Sequence, residues 1–596
     1  MSARDVHEEL YGLTGLGRSL ARTLAEVVPE VGDLPAAELT IPPKPEFGDV
    51  ATAVALTVAK RAGSKPRDLA AALGERWCSG PGAGLCTRYD VAGPGFLNLF
   101  LSDEWYRETA RRMVALGADH GRGVLPPASR RRVNIEFVSV NPTGPLHVGH
   151  ARYASMGDAL CRLFAYAGHD VTREFYVNDF GTQMVKFGQS LAARYGQRLG
   201  LDLPVPDDGY LGDYVLEAAD RLIDDVGERY RAPLAAAAPD VTRAPDAVID
   251  EIKAWGRDRI LDRFRATLER LRVPFDVWKS EASLYDGGMP HRGFGGEVGQ
   301  ALRELDADGE LFDADGAVWL RTTDYGDDKD RVLVRQTGAP TYFLSDIAYH
   351  RDKMDRGFEH LIDIWGADHH GYVPRMKAMF TALPPHDPDR LELIIGQLVN
   401  LLESGAARRM SKRRGDIVTV DDLIDAIGVD AVRFFMVGRS HDSTLDLDLD
   451  LAVEQSNKNP VYYVQYAHAR ICSVLRNLAD RAALPADVLG HLTGEHDAAA
   501  PPSFGDVAVG AYERNLVRAL ARFPLVVLEA VERRGPHRLH AYLGELAAEF
   551  HVFYRNCRVI GDDPDTTAFR TGLCVASRTT LAKGLELLGV SAPQSM

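Results

Sequence analysis

The hydrophobic and polar positions divide the chain into three regions of different periodicity. Up to about residue 115, a helical stretch LGRSLARTLAEVV, a loop IPPKPEFGDVA and a second helix AVALTVAKRAG precede the alternating, strand-like run in VAGPGFLNLFL. From residue 131 to about 450, apolar strand-like runs alternate with helical periodicity, which is typical of a parallel α/β sheet. From residue 451 onward, the apolar positions recur every three or four residues, as they do on amphipathic helices.

This pattern predicts a multidomain α/β protein. We predict an N-terminal α+β domain over residues 1–115, a domain with a Rossmann-type parallel sheet over 116–450, and an all-helical domain over 451–596. In the central domain VNIEFV is the first strand and HDVTREFYVND the second, and HLIDIWGADH and LELIIGQLVNLL are later strands. The stretch from about 190 to 290 is helical and charged, so we predict that it is an insertion into this domain.

The composition is that of a globular protein without a membrane-spanning segment. Hydrophobic residues make up 45% of the chain and charged residues 26%, which is ordinary for a protein with a large core. No apolar run approaches the ~20 residues that cross a bilayer, and the first residues, MSARDVHEEL, contain no signal-peptide apolar block. We therefore expect a cytoplasmic protein without a membrane partner.

The net charge of −16 at first argues against nucleic acid as a partner, but this charge is unevenly distributed. From Gln455 to the end, 15 Lys and Arg stand against 14 Asp and Glu, which leaves −17 on the rest of the chain. Because salt screens charges beyond ~10 Å, a local basic face can bind a phosphate backbone even on an acidic protein. The net charge therefore does not exclude RNA.

The cysteines show no pattern of a disulfide framework or a zinc site. Six are scattered without a C-x-x-C pair, namely Cys78, Cys86, Cys161, Cys472, Cys557 and Cys574. We expect reduced and mostly buried thiols, and no structural zinc.

The first candidate for chemistry is NPTGPLHVGH, residues 141–150, which lies between a predicted strand and a predicted helix. Free N–H groups and the helix dipole favour an anion at such a helix start, and glycines let the backbone approach a ligand. His147 and His150 are three residues apart, so both imidazoles lie on one side of the first turn and can donate to phosphoryl oxygens. Alternatively, the pair caps the helix, or it binds a metal with a third ligand elsewhere.

The second candidate is ARRMSKRRGD, residues 407–416, a basic stretch in an acidic chain. A loop lysine such as Lys412 can close over a polyphosphate and neutralise charge that develops in a transition state. The alternative is a solvated basic turn or an electrostatic patch for nucleic acid.

Together, HVGH after the first strand and RMSKR some 260 residues later resemble the two signatures of the class I aminoacyl-tRNA synthetases. The resemblance implies that His147, His150 and Lys412 are catalytic, because the family uses these groups to hold ATP and to stabilise adenylate formation. It implies ATP contacts at other positions of the two signatures, namely Gly149, Met410, Ser411 and Arg413.

Longer stretches resemble the arginyl-tRNA synthetases over nearly the full chain: EFVSVNPTGPLHVGH, YVNDFGTQ, TYFLSDIAYH, GADHHGY, DAVRFFM and NPVYYVQYAHAR. The N-terminal unit is similar to the extra N-terminal domain of that family. The lysine of the second signature is often missing in this family, and a lysine just before the first signature then substitutes. This sequence has Lys412 in the second signature and Gly144 at the upstream position, so only the second signature supplies the lysine.

A guanidinium substrate requires carboxylates in planar, bidentate geometry. The resemblance implies an arginine pocket lined by Glu136, Ser139, Asn141, Tyr342 and Asp346, with Asp179 and Gln183 near the substrate. The alternatives are a strand-end Glu136 paired with Arg131 or Arg132, a hairpin core tyrosine at position 342, and a helix N-cap at position 346. Gly366 and Asp368 follow another predicted strand, where an acidic group often contacts a ribose.

The implied reaction joins L-arginine to ATP, forms arginyl-adenylate and transfers arginine to the 3′ end of its tRNA. Mg²⁺ is expected on the phosphates without a dedicated protein cage. The helical domain is expected to bind the anticodon stem and loop, with candidate contacts at Tyr462, Tyr466, Arg470 and Arg555. The N-terminal domain is expected to contact the tRNA elbow, and we expect a monomer.

Other functions remain open at this point. A paralogue that makes arginyl-adenylate or arginyl-tRNA for secondary metabolism or antibiotic tolerance would carry the same motifs. A non-catalytic RNA-binding derivative is disfavoured because His147, His150 and Lys412 are all present. A class I synthetase for cysteine is disfavoured because zinc-ligand cysteines are missing.

Overall fold

The computed structural model describes residues 10–32, 34–407, 418–480 and 503–596. The chain forms two compact units. The first contains residues up to Val124 together with Gln455–Leu587 and Ser591–Met596, and the second contains Leu125–Glu454 and Leu588–Val590. None of the described helices is long and apolar enough to cross a membrane.

The N-terminal part of the first unit is an α+β arrangement around a small antiparallel sheet. Its elements are α1 (Leu13–Val27), β1 (Val50–Thr52), α2 (Val54–Val58), α3 (Pro66–Ser79), β2 (Cys86–Ala92), β3 (Phe96–Leu101) and α4 (Asp103–Leu116). The strand order is β1-β3-β2. Strand β1 overlaps the end of the predicted loop, where a three-residue strand is too short to show a period.

One expectation about the cysteines is wrong. Cys78 at the end of α3 and Cys86 at the start of β2 form a disulfide, with Cα atoms 5.6 Å apart. The fold brings these residues together across a glycine-rich turn, and a spacing of eight residues gave no signal of this. The other four cysteines are free and buried, as expected.

The second unit contains the parallel sheet. Its strands are β4 (Arg132–Glu136), β5 (Asp170–Val177), β6 (Val277–Ser280), β7 (Leu311–Ala314), β8 (Ala317–Leu320), β9 (Arg331–Val334), β10 (His360–Gly366), β11 (Leu391–Gly396), β12 (Val399–Glu403), β13 (Ala406–Ala407) and β14 (Leu445–Asp448). Its helices are α5 (Val148–Ala167), α6 (Thr182–Arg198), α7 (Asp213–Val226), α8 (Arg231–Ala237), α9 (Asp246–Arg270), α10 (Gly296–Ala307), α11 (Tyr342–Asp355), α12 (Val373–Ala382), α13 (Val420–Ile427), α14 (Val429–Met436) and α15 (Leu449–Val453).

Five strands form the main sheet in the order β11-β10-β4-β5-β6, and all of their pairings are parallel. Four of the five residues of β4 are buried, as expected for a strand covered on both faces, although only Val133 and Ile135 are apolar. The strand order reverses at β4, because β5 lies on one side and β10 on the other. Such a reversal opens a crevice at the carboxyl ends of the strands, where α/β proteins bind ligands. The predicted Rossmann-type sheet is confirmed.

Helices α6 to α9 lie between β5 and β6 in the chain and pack around a core of their own, which includes Leu191, Leu222 and Leu234. The helical stretch ends at Arg270, and β6 then joins the main sheet. Two further three-stranded sheets, β7-β8-β9 and β13-β12-β14, complete the unit.

The C-terminal part of the first unit is helical, as predicted. Its helices are α16 (Pro460–Asp480), α17 (Ala511–Ala521), α18 (Phe523–Glu532), α19 (Pro536–Asn556) and α20 (Pro564–Leu587). Arg514 of α17 joins them to the N-terminal part of the same unit. Its guanidinium donates to Asp103 Oδ1 at 2.5 Å and to the Leu101 carbonyl at 3.1 Å, and it lies 4.6 Å from the centre of the Tyr106 ring.

Candidate active site

A cavity of about 1220 Å³ opens at the carboxyl ends of the parallel strands. The residues that line it follow the ends of β4, β5, β6 and β10, and others come from the first turns of α5 and α11. The cavity therefore lies where the reversed strand order predicts a ligand site.

The floor beside β4 is a row of buried charges. The register places Asp363, Glu136 and Glu174 side by side on β10, β4 and β5. Helix α11 supplies the cations: Lys353 Nζ donates to Glu136 Oε2 at 2.6 Å and to Asp363 Oδ1 at 2.8 Å. Arg356 donates to both oxygens of Glu174, each at 2.8 Å. Glu136 thus pairs with Lys353, not with Arg131 or Arg132, because the sheet turns it towards α11.

Lys353 stays charged in this setting. Burial opposes its charge, but Asp363 and Glu136 outweigh burial and raise the pKa of Lys353. His350 Nε2 contacts Asp363 Oδ2 at 2.7 Å and its Nδ1 contacts the Asp346 carbonyl at 2.7 Å. Burial again opposes the charge, and Asp363 nevertheless raises the pKa of His350. Lys353 and His350 of α11 therefore hold the carboxyls of Glu136 and Asp363 in place.

The chain bends sharply after β4. Val138 and Ser139 have φ angles of 72° and 30°, a region that non-glycine residues rarely adopt and a β-branched residue avoids. Two hydrogen bonds hold the bend: Tyr176 N–H donates to Ser139 Oγ at 3.0 Å, and Asn141 Nδ2 donates to the Asn178 carbonyl at 2.8 Å. The bend turns Ser139 and Asn141 into the cavity lining.

The two histidines cap helix α5. His147 is the N-cap, and its Nδ1 accepts from Gly149 N–H at 3.2 Å. His150 Nδ1 accepts from His147 N–H at 3.0 Å, which completes a reciprocal capping box. The ring centroids are 3.7 Å apart. Because each Nδ1 accepts, each neutral ring carries its proton on Nε2. Capping is therefore observed, and it leaves both rings as donors on the cavity wall.

The chain that follows the second signature, from Val418 onward, runs beside the first signature. Val148 N–H donates to the Val418 carbonyl at 3.1 Å, and Val420 N–H donates to the Leu146 carbonyl at 2.9 Å. The predicted residues Met410, Ser411, Lys412 and Arg413 lie outside the described residues. A Cβ at Gly149 would lie 3.1 Å from the His147 ring, so a larger residue there would crowd the cap.

Arg152 fixes the first turns of α5 to the rest of the site. It is almost fully buried, and its guanidinium donates to the carbonyl oxygens of Gln397, Leu398, Ser440 and Ser443 at 2.7 to 3.2 Å. Leu398 also lines the cavity. These hydrogen bonds fix helix α5, which carries the two histidines, to the loop after β11, and the two segments form one wall of the cavity.

Two further carboxyls in the cavity have no ion-pair partner among the described lysines and arginines. Asp346 of α11 accepts a hydrogen bond from Tyr372 Oη at 3.0 Å, and Glu281, directly after β6, is 2% exposed. Burial raises the pKa of Asp346 to about 7, and neighbouring acids add to this. Burial raises the pKa of Glu281 to about 8, although a hydrogen bond from Ser345 opposes the shift. The cavity therefore has an acidic end that a ligand cation fits.

Tyr342 is the first residue of α11 and is 54% exposed at the rim of the cavity. It is therefore not a hairpin core residue. Asp346 lies one turn further inside the helix, so it is not an N-cap. Both side chains reach the same cavity because residues four apart share a helix face.

The opposite side of the cavity follows β10. Gly366 ends this strand, and Asp368 and His369 follow in a short 3₁₀ turn; all three line the cavity. A Cβ on Gly366 would lie 2.7 Å from Asp368 Oδ1, so a larger residue there would displace the Asp368 side chain. Asp368 remains largely exposed and contacts His369 at 3.5 Å.

Gln183 lines the cavity, but the structure does not bring Asp179 there. Asp179 turns the other way and accepts from Ser280 Oγ at 2.8 Å and from Ala282 N–H at 3.1 Å. These bonds hold the turn that carries Glu281, so Asp179 affects the cavity indirectly, by positioning Glu281.

Sequence reasoning missed Glu281, Tyr176 and Tyr372. Glu281 is an acidic residue directly after a strand, as Glu136 is, but the four-residue strand β6 gave too weak a pattern to place it. Tyr176 lies inside a predicted strand, where a core tyrosine looks the same. Tyr372 lies in the quoted stretch GADHHGY, yet nothing local connects it to Asp346.

In the helical part of the first unit, the predicted RNA-binding residues form a stacked surface. The rings of Tyr462 and Tyr466 are 6.0 Å apart and nearly parallel. The Arg470 guanidinium lies 5.6 Å from the Tyr466 ring and 5.2 Å from the Tyr554 ring. Arg555 is exposed on the adjoining helix. Partly exposed aromatic and arginine planes of this kind suit unpaired bases.

Comparison with known proteins gives consistent matches along the whole chain. Three family models match: Arginyl tRNA synthetase N terminal domain over residues 15–101, tRNA synthetases class I (R), catalytic domain over 118–455, and DALR anticodon binding domain over 464–596. The chain is 43% identical to an arginine--tRNA ligase of Syntrophotalea carbinolica over 95% of this chain and 96% of that protein. It is 40% identical to that of Bacillus subtilis over 97% of each.

Among solved structures, the fold is similar to Thermus thermophilus arginyl-tRNA synthetase. The TM-score is 0.71 at 24% identity, and the match covers 98% of this chain and 100% of the other.

Proposed function

The chain belongs to the arginyl-tRNA synthetase family, and from that premise we propose that it activates L-arginine with ATP and transfers it to the 3′ end of its tRNA. The observation that carries the arginine assignment is the acidic end of the cavity. Asp346 and Glu281 face it without a described lysine or arginine to pair with, and Tyr372 orients the Asp346 carboxyl. A guanidinium has five donors in a plane and never loses its charge, so it satisfies both carboxyls at once.

The remaining predicted residues take roles along the rest of the cavity. Tyr342 is proposed to pack on the guanidinium plane at the rim, with Gln183 on the same side of the bound amino acid. Glu136 and Ser139 are proposed to line the pocket at the bend after β4, and Asn141 to hold the α-amino or carboxylate end. All of these residues line the same cavity.

The nucleotide is proposed to lie beside the start of α5. His147 and His150 are proposed to donate to the phosphates from Nε2, supported by the cap that fixes their rings. Gly149 is proposed to let the backbone approach ATP, and Gly366 and Asp368 to contact the ribose. Sequence alone supports the contacts of Met410, Ser411 and Arg413 and the catalytic role of Lys412.

In the first step the arginine carboxylate attacks the α-phosphorus of ATP in line, which gives arginyl-adenylate and pyrophosphate. In the second, the terminal ribose hydroxyl of the tRNA displaces AMP. Little covalent work falls to the protein, so positioning and charge stabilisation determine the rate. Mg²⁺ is proposed to enter on the phosphates of ATP, where it would neutralise charge.

The domain division 1–115, 116–450 with an insertion at about 190–290, and 451–596 is part of the proposal. The matched family models support it. We propose that the helical domain binds the anticodon region through Tyr462, Tyr466, Arg470 and Arg555, and that the N-terminal domain contacts the tRNA elbow. We further propose a cytoplasmic monomer.

Aminoacylation tests the proposal. Purified enzyme, ATP, Mg²⁺ and total tRNA are incubated with each of several labelled amino acids, and acid-precipitable label is measured. We expect arginine alone to be attached, and only to tRNA that decodes arginine codons. Adenylate formation without transfer to tRNA would favour the specialised paralogue, and RNA binding without either step would favour the non-catalytic derivative.

A further inference from the structure

Tyr176 carries a buried hydroxyl that no described residue satisfies. The side chain lies near the carboxyl end of β5, lines the cavity and is 5% exposed. Its ring stacks on Tyr349 with centroids 4.2 Å apart and 25° between the planes, and its backbone N–H donates to Ser139 Oγ at 3.0 Å. The Oη atom, in contrast, has no hydrogen-bond partner within the described part of the chain.

Native proteins keep few such groups, because burying a hydroxyl without a partner costs free energy. The charged groups that act on Tyr176 are the carboxyls of Glu281, Asp346 and Glu136, and the Tyr285 hydroxyl acts on it as well. Burial, reinforced by these groups, raises the pKa of Tyr176 well above its ordinary value. The hydroxyl therefore stays protonated and faces an acidic environment.

The missing partner can be deduced from this environment. Once ionised, the neighbouring carboxyls only accept hydrogen bonds and carry negative charge, so the ligand that favours their ionised form has to bring donors and positive charge. A guanidinium brings five N–H donors in one plane and accepts nothing. It can give N–H groups to the carboxylates and one more to a hydroxyl beside them.

We propose that the Tyr176 hydroxyl is a further specificity-determining group of the arginine site, accepting a hydrogen bond from the guanidinium of bound L-arginine. The inference rests on the proposed function, in which the carboxyls of Asp346 and Glu281 bind the guanidinium. It adds the Tyr176 hydroxyl as a neutral acceptor beside them. The hydroxyl is held in position before arginine enters, because the Tyr349 stack and the Ser139 bond fix the ring and the backbone.

The test is Tyr176→Phe, which keeps the ring and removes only the hydroxyl. In ATP–pyrophosphate exchange with tRNA present, the KM for arginine should rise by about 10- to 100-fold, as expected for the loss of one hydrogen bond from a charged donor. The KM for ATP should stay within about twofold of the wild type. The thermal midpoint of the ligand-free protein should be unchanged or higher, because an unsatisfied group is removed.

Tyr195→Phe is the matched control. Tyr195 is also buried, but its hydroxyl donates to the Gly227 carbonyl at 2.6 Å among helices α6 to α9 and does not line the cavity. This variant should show the opposite result, a lower thermal midpoint with an unchanged KM for arginine.

An unchanged KM for arginine in Tyr176→Phe would overturn the inference. So would a variant that raises both KM values and lowers the thermal midpoint, since this would show a purely structural hydroxyl. The proposed function itself, as distinct from the role of Tyr176, would be overturned if the wild-type enzyme showed no arginine-dependent exchange.

Discussion

At the scale of single residues, the proposed arginine site rests on the carboxyls of Asp346 and Glu281. Both are buried near other acids, and burial is the main reason that their pKa values are raised to about 7 and about 8. Glu136 and Asp363 lie in the same floor but already share Lys353. The sheet thus provides the paired acids Glu136 and Asp363, whereas Asp346 of α11 and Glu281 after β6 have no described lysine or arginine as a partner.

A pH dependence of arginine binding follows. As pH rises from 6 to 8.5, Asp346 and Glu281 lose their protons, whereas the guanidinium stays charged. The KM for arginine should therefore fall over this whole range, and the KM for ATP serves as the internal control. A profile for arginine that is as flat as the profile for ATP would contradict the assignment of the two acids.

The same shifts predict the stability of the ligand-free protein. Unfolded carboxyls lose their protons near pH 4, whereas these two keep theirs to about pH 7 and 8, so the folded state binds more protons in between. The free energy of unfolding should therefore fall as pH rises through this window. Saturating arginine should reduce this loss, as thermal midpoints in the two conditions would show.

At the scale of elements, the start of helix α5 combines a structural and a chemical task. The capping box uses the Nδ1 atoms of His147 and His150, and this use fixes the proton of each ring on Nε2. The bend after β4, with Val138 and Ser139 at positive φ, turns the preceding residues into the cavity. The helix start and the bend thus bring the two histidines and Ser139 and Asn141 into the lining of one cavity.

His147→Asn separates the two tasks. Asparagine is among the best N-cap residues, so the free energy of unfolding should stay within about 0.5 kcal/mol of the wild type. The imidazole donor is lost, so the rate of pyrophosphate exchange should fall by about 10²- to 10³-fold. Thermal unfolding and exchange kinetics of the same preparation measure both effects.

His147→Ala is the companion variant, in which cap and donor are both lost. Its rate of pyrophosphate exchange should match that of His147→Asn. Its free energy of unfolding should be about 1 kcal/mol lower than that of His147→Asn. Exchange near the wild-type rate in His147→Asn would show that capping is the only task of this residue.

The elements also show how far the sequence determines the site. The alternation of strands and helices predicts the parallel sheet, and the two signatures predict the helix start, because both signals are local. The partner of Glu136 is 217 residues away on α11, and Glu281 reaches Asp346 only through the position of β6 at the edge of the sheet. Such contacts depend on tertiary packing, and so does the disulfide of Cys78 and Cys86.

At the scale of the whole molecule, the two ends of the chain belong to one compact unit. Arg518 of α17 contacts Asp49 Oδ1 at 3.2 Å, and Arg107 of α4 donates to the Val507 carbonyl at 2.7 Å, in addition to the contacts of Arg514. The N-terminal α+β part and the helical part therefore stabilise each other.

Arg514→Met and Asp103→Asn test this coupling. Each should lower the free energy of unfolding of this unit by about 1–3 kcal/mol, because each breaks a charge-assisted hydrogen bond between the two parts. The double variant should lose less than the sum of the single losses, as a double-mutant cycle by denaturant unfolding would show.

Arg533→Met is the control, since the Arg533 side chain is 68% exposed and lies 4.0 Å from Glu529. It should cost less than about 1 kcal/mol. Strict additivity of Arg514→Met and Asp103→Asn would show that the two parts are not coupled through this pair.

The most direct test of the central claim is ATP–pyrophosphate exchange with each of the twenty amino acids, with and without tRNA. The acidic cavity and the family membership predict exchange with L-arginine and with no other amino acid. Exchange with cysteine or leucine, or no exchange with any amino acid in the presence of tRNA, would contradict the assignment of this chain as an arginine-activating enzyme.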